Sequence, residues 1–138
     1  MPTANEKPTD PQTSMTRILR WKQGAPGQAA DDFLSREEPL EIRVKGESVA
    51  VTMRTPGHDE ELALGFLLSE GVIAGPSDVF VVARCQQGEA ALRGNVLNVF
   101  LAPKVVIDLA KLIRHVYASS SCGLCGKASI ESVHGHFA

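Results

Sequence analysis

The sequence predicts an α+β fold in which strand hairpins pack on a helix, and three stretches carry the prediction. Between Leu40 and Met53 apolar and polar residues alternate with period two in two consecutive runs, the pattern of strands with one buried side. Asp59 to Glu70 follows, with an acidic start and a leucine-rich body, the pattern of a helix. Beyond it, two apolar segments, Asp78–Arg84 and Val96–Ala102, flank a Gln86-Gln87-Gly88 turn and read as a second strand pair.

In chain order, residues 1 to about 15 are rich in Pro, Thr and Asn with little apolar content, and read as a disordered leader. Thr16 to Lys22 carries Ile18, Leu19 and Trp21 and reads as a short strand; Gly24 to Gly27, broken by Pro26, reads as a loop. The body begins near Glu37. Leu40, Ile42 and Val44 alternate with Glu41, Arg43 and Lys45, and Val49, Val51 and Met53 resume the alternation after Lys45-Gly46-Glu47-Ser48. That is a β-hairpin.

Pro56-Gly57 ends the second strand. Asp59, Glu60 and Glu61 then place negative charge on the first turn of a helix, where the helix dipole favours it. Leu62, Leu64, Phe66, Leu67 and Leu68 give a broad apolar face, and Gly71 is the stop. The corner Thr52–Asp59 reads as a strand-to-helix turn in preference to a substrate-facing motif, because Pro-Gly and an acidic first turn suffice to explain it. Late in the chain Leu109, Leu112, Ile113 and Val116 recur at three- and four-residue spacing and predict a short helix starting near Asp108. A further helix is expected to begin within Lys127–Val133.

The chain has 138 residues, 43% of them hydrophobic, with a net charge of −2. This is enough for an ordinary core. Such a charge gives no sign of a nucleic-acid surface, and aromatic residues at 5% supply no stacking platform for single strands. No apolar run approaches the roughly 20 residues of a membrane span, and the polar N-terminus lacks a secretory apolar region, so a cytoplasmic protein is expected. Three cysteines in a reducing compartment read as thiols rather than as a disulfide framework.

Two of those cysteines concentrate the chemistry: Ser119-Ser-Ser-Cys122-Gly-Leu-Cys125-Gly126-Lys127. The pair suits a metal clip, a dithiol couple or a thiol that carries sulfur. Cys85, at the end of a predicted strand, reads as an inert structural thiol. A closed zinc site needs four ligands. Cys122 and Cys125 with His134 and His136 reach that count, but His-x-His is an unusual half-site; the two histidines otherwise belong to a polar tail. A thioredoxin-like couple normally follows a strand in a βαβ unit, and none is evident here. Sulfur carriage needs an accessible thiolate with a lowered pKa. A helix starting near Gly126 would turn its positive end toward the loop, Lys127 would add a full charge, and the glycines would leave the sulfurs accessible. That argument leans slightly toward Cys125, the nearer to the helix start.

Four ordered motifs then point to a family. Glu37-Glu38-Pro39-Leu40-Glu41-Ile42, Thr52-Met53-Arg54-Thr55-Pro56-Gly57-His58-Asp59, Glu61-Leu62-Ala63-Leu64-Gly65-Phe66-Leu67-Leu68-Ser69-Glu70-Gly71 and Ser120-Ser121-Cys122-Gly123-Leu124-Cys125-Gly126-Lys127 resemble the formate dehydrogenase accessory sulfurtransferases of the FdhD type, from about Asp31 to about Ser132. The resemblance implies a sulfur carrier protein. It would accept sulfur from a cysteine desulfurase as a persulfide and pass it to the molybdenum or tungsten bis-pterin guanine dinucleotide cofactor, the sulfur acceptor that activates formate dehydrogenase. It implies Cys122 as the persulfide carrier with Cys125 assisting, no metal site and no tightly bound cofactor. It also implies a cytoplasmic homodimer in the full-length form, with neither nucleic acid nor membrane as partner.

The implied layout is a leader (1–15), an α+β N-terminal domain (16–117), and a cysteine loop opening a cytidine-deaminase-like α/β domain (118–138). Family members run to roughly twice this length, so the resemblance covers their N-terminal half. The glycine-rich segment thought to bind the pterin dinucleotide is expected in the other half. Two alternatives stand beside this reading: a zinc-stabilised interaction module, and a docking domain without activity.

Overall fold

A computed structural model describes residues 10–88 and 94–118. Strand β1 (Thr13–Arg20) pairs antiparallel with β2 (Gln28–Ser35) in a two-stranded sheet of its own. β1 starts at Thr13, inside the segment read from sequence as leader, and residues 1–9 lie outside the described residues. β2 was not anticipated: Gln-Ala-Ala-Asp-Asp-Phe-Leu-Ser shows no clean alternation and holds two adjacent aspartates, which strands disfavour. It is a strand because β1 lies beside it in full register, from Thr13 opposite Ser35 to Arg20 opposite Gln28. At the tip the Trp21 ring lies against Gly27, where an added Cβ would meet Trp21 Cε2 at 2.7 Å.

The main sheet has four strands, β3 (Glu38–Val44), β4 (Glu47–Arg54), β5 (Val79–Arg84) and β6 (Val96–Leu101), in the order β4-β3-β6-β5. β3 and β4 form the predicted hairpin. Its turn is Lys45-Gly46, with φ of 52° and 80°, the left-handed pair that matches strand twist in a two-residue loop. Register passes from Ile42 opposite Ala50 to Arg43 opposite Ser48, so Val49 is the extra residue of a bulge and is buried. β5 and β6 form the second predicted pair. The two hairpins merge through a parallel pairing of β3 with β6, Glu41 beside Val96 to Val44 beside Val99.

Helix α1 (Asp59–Ser69) links β4 to β5. Glu70 caps it, and Gly71 follows at φ 71°. Gly71 N–H donates to Leu68 O at 3.1 Å and Val72 N–H to Leu67 O at 2.9 Å. This pair of bonds closes a helix C-terminus around a left-handed glycine. Helix α2 (Leu109–Ala118) starts where expected: Asp108 Oδ1 accepts from Lys111 N at 3.0 Å, an N-cap bond.

The core lies where both helices meet one face of the sheet. It gathers Leu40, Ile42, Val44 and Ala50 of the first hairpin, Leu97 and Val99 of β6, Ala63 and Leu67 of α1, Ile73, and Leu112 of α2. The fold class is thus the α+β of hairpins on helices that the sequence predicts. Two details differ. The apolar face of α1 is narrower than its composition suggested: Ala63 and Leu67, one turn apart, are buried in the core and Leu64 and Phe66 pack partly buried against it, while Leu62 and Leu68 are exposed. Glu41, a charged residue of the alternating run, is nonetheless 2% exposed and accepts from Arg43 Nε at 2.6 Å. β3 lies between two other strands, and the face carrying Glu41 is closed at neighbouring Val51 and Val96 as well.

Candidate functional site

The predicted site residues Cys122 and Cys125, with Lys127, His134 and His136, lie outside the described residues, as does the expected cytidine-deaminase-like segment after Ala118. What the structure does place is the helix that precedes them in the chain. α2 packs across β4 and is anchored through Leu112, which is buried, with Leu109 and Ile113 partly buried against the core. Its last residue, Ala118, immediately precedes Ser119. The segment that carries Cys122 and Cys125 thus follows in sequence a helix tied into the sheet.

Cys85, the third cysteine, follows β5. It is half-buried, its Sγ 3.8 Å from Gln87 O. Among the described residues no three His, Cys, Asp or Glu side chains gather to hold a metal.

The described chemistry concentrates at the corner between β4 and α1. Arg54, last residue of β4, meets Asp59, first residue of α1, in a two-pronged pair: Nε to Oδ1 at 2.8 Å and Nη2 to Oδ2 at 3.1 Å. Their side chains are 5% and 2% exposed. Arg54 Nη2 also donates to Asn95 Oδ1 at 3.2 Å, and Nη1 donates to the backbone oxygen and Oε2 of Glu38, each at 3.4 Å. Arg84, at the end of β5, adds a third bond to Asp59, Nη1 to Oδ2 at 3.0 Å, and donates to Gly94 O at 2.7 Å. Arg36 pairs with the other Glu38 oxygen.

Burial works to raise the pKa of Asp59. The hydrogen bonds and charge of Arg54, then of Arg84, outweigh it and hold the carboxyl below its ordinary value. An acid so held stays ionised near neutrality and does not shuttle protons. The cluster instead ties together β3, β4, α1, β5 and the entry to β6. Three guanidinium groups face the carboxylates of Asp59 and Glu38; the buried one, Arg54, is paired with buried Asp59, as a buried charge requires.

The corner was read from sequence as a strand-to-helix turn in which acidic residues complement the helix dipole. His58 does occupy the cap position, its backbone oxygen accepting from Leu62 N at 3.0 Å, but it makes no side-chain cap bond. Asp59 faces inward to two arginines. The outward positions are Thr55, Gly57 and His58, the last with Nδ1 3.8 Å from Glu61 Oε1. Sequence reasoning missed Arg84 and Asn95 altogether. Arg54 and Asp59 stood within a quoted motif, and their five-residue separation across a Pro-Gly turn was the available signal.

Comparison with known proteins places these features in a lineage. The sequence profile of the FdhD/NarQ family matches residues 35–137. The chain is 45% identical over 123 residues to the sulfur carrier protein FdhD of Streptomyces coelicolor, an alignment covering 88% of this chain and 43% of that protein. It is 53% identical over 107 residues to the sulfur carrier protein FdhD of Mycobacterium tuberculosis, covering 74% and 39% respectively. The chain thus spans less than half the length of the curated relatives it matches. Among solved structures, a candidate formate dehydrogenase accessory protein from Desulfotalea psychrophila superposes with a TM-score of 0.55 at 23% identity, over 67% of this chain and 35% of that one; the two share a fold.

Proposed function

The chain belongs to the FdhD/NarQ family, and from that membership we propose that it receives sulfur on Cys122 and holds it as a persulfide for delivery to a metal cofactor. The observation that supports this reading most is the position of Cys122-x-x-Cys125 inside the matched segment, directly after a helix anchored in the core. Cys122 thiolate attacks the terminal sulfur of a persulfide on a cysteine desulfurase. The S–S bond of the donor breaks, the donor cysteine leaves as thiolate, and a persulfide forms on Cys122 with no net oxidation. Cys125 assists: its thiolate can attack the Cys122 sulfur, leaving a Cys122–Cys125 disulfide and releasing hydrosulfide, which balances the two electrons that the terminal sulfur gains.

The acceptor is the molybdenum or tungsten bis-pterin guanine dinucleotide, here a substrate, and the beneficiary is a formate dehydrogenase. The compartment is the cytoplasm, where thiols stay reduced; among the described residues no helix is long and apolar enough to cross a membrane. The Arg54–Asp59 corner supports the carrier by holding the sheet and α1 as one unit beneath the helix that leads to the loop.

The test is to incubate the reduced, folded chain with a cysteine desulfurase and cysteine and to record intact mass. One added sulfur, removed by dithiothreitol, is the expected result. A folded protein that gains none would overturn the proposal. Stoichiometric zinc released only on unfolding would instead make the two cysteines a structural clip.

A further inference from the structure

Gly65 lies in the middle of α1, and nothing within the described structure requires a glycine there. It is not among the glycines with left-handed φ, and a Cβ added to it would meet no atom within 4 Å. Neither backbone strain nor crowding therefore excludes a side chain, and alanine would make the more stable helix. Gly65 is exposed. Bare helix backbone at a surface lets another backbone approach closely.

An open groove of about 370 Å³ lies beside it. α1 supplies Leu64, Gly65 and Leu68, and the segment entering β5 supplies Gly75, Pro76 and Val79. No residue lining the groove has a polar side chain, and Leu68 is 53% exposed. Gly75, like Gly65, has open space where a Cβ would stand, so the two glycines keep the groove wide. A concave apolar surface with a charged rim is the form of a docking groove.

The rim shows what fits. Residues four apart are neighbours on a helix surface, which puts Glu60 beside Leu64 and Glu61 beside Gly65. Both carboxylates are exposed, and among the described residues neither pairs with a lysine or arginine; Glu61 Oε1 lies 3.8 Å from His58 Nδ1. α1 itself carries no Lys or Arg. Lys104, on the Pro76–Val79 side, is held by Asp78 at 2.9 Å and Ser77 at 3.1 Å. The open charge at the groove is negative.

We propose that this groove docks a basic amphipathic helix of a partner protein. The apolar stripe of that helix lies among Leu64, Leu68 and Val79, a small side chain crosses α1 at Gly65, and Lys or Arg beside the stripe face Glu60 and Glu61. Helix axes approach more closely as the side chains at their contact shrink, so a glycine on a helix face suits a second helix, whereas an extended peptide seeks a sheet edge. The charge pairs set the direction in which the partner lies. The contact is separate from the sulfur chemistry, and either can hold without the other.

The experiment titrates the isotope-labelled full chain with a designed helical peptide of about 14 residues, or four turns, and follows its amide NMR signals. The peptide carries leucines at three- and four-residue spacing, one alanine at the crossing point and lysines beside the stripe; a second peptide has glutamates in place of the lysines. The lysine peptide should shift the signals of Glu61, Gly65, Leu68 and Gly75 with a Kd of about 100 µM, and the glutamate peptide should bind about tenfold more weakly. Gly65→Leu fills the crossing point and should weaken the lysine peptide about tenfold. Glu60→Lys with Glu61→Lys should reverse the preference between the two peptides. Gly65→Ala should raise the melting temperature by about 3–6 °C, since nothing inside the chain needs glycine there. No shifts up to about 1 mM peptide, shifts centred away from Gly65, or equal binding of the two peptides would each overturn the proposal. So would wild-type affinity in Gly65→Leu or a lowered melting temperature in Gly65→Ala. Self-association of the peptide-free chain that Gly65→Leu abolishes would make a second copy the occupant and overturn it as well.

Discussion

Replacing Asp59 by asparagine should destabilise the fold by about 3–5 kcal/mol at neutral pH, the usual effect of removing one partner from a buried ion pair. The structure says why the loss falls in that range. Arg54 keeps 5% of its side-chain surface exposed and gives Asp59 two of its bonds; with the charge gone it retains Asn95 and two long bonds to Glu38, to the backbone oxygen and Oε2, each at 3.4 Å. Arg84 is half exposed and turns to water at little cost. The carboxylate is held below its unfolded pKa of about 3.9, so its contribution is complete above that value. It disappears as pH falls through the lower folded pKa. The gap between wild type and Asp59→Asn should thus be equal at pH 7 and pH 5 and shrink below about pH 4.

Urea unfolding followed by far-UV circular dichroism is the assay. The one tryptophan, Trp21, is 71% exposed at the ribbon tip and reports poorly on the core. Arg54→Met with Asp59→Leu, which removes both charges, should recover much of the loss. If Asp59→Asn does not fold, Arg84→Ala reads the same cluster at about 0.5–1.5 kcal/mol. A gap under about 1 kcal/mol at pH 7, or one unchanged at pH 3, would refute the assignment of Asp59 as a buried, ionised anchor.

Three further outcomes are expected. Gly71→Ala should destabilise by about 1–2 kcal/mol, since Gly71 sits at φ 71° and alanine is strained there; calorimetry will show it. Leu67→Ala, at a fully buried position, should lose about 2–5 kcal/mol in urea unfolding. Asp108→Ala removes the bond to Lys111 N and should lose about 1 kcal/mol, with faster amide exchange in the first turn of α2 than elsewhere.

The first hairpin was legible because apolar and charged residues alternate along it, with Leu40, Ile42 and Val44 all joining the core. α2 was legible for the same reason at helical period. Alternation does not name neighbours, however, and nothing in the sequence of β3 says that β6 lies parallel beside it. β2 was invisible because its strand state comes from β1 and not from its own residues. For Asp59 and Glu41 the charge pattern does not reveal burial: each carboxylate is buried against an arginine close in sequence, Arg54 and Arg43. Of the candidate site, the motif with Arg54 and Asp59 could be found but not its inward direction, and Arg84 and Asn95 join it only through strand order.

The central claim is that Cys122 carries the sulfur. The direct measurement is peptide mass mapping after desulfurase loading of Cys122→Ala and Cys125→Ala proteins, each first shown to be folded. The expected result is an added sulfur on Cys122 in the Cys125→Ala protein and none in the Cys122→Ala protein. Sulfur found on Cys125 in the Cys122→Ala protein, at the wild-type level, would contradict it.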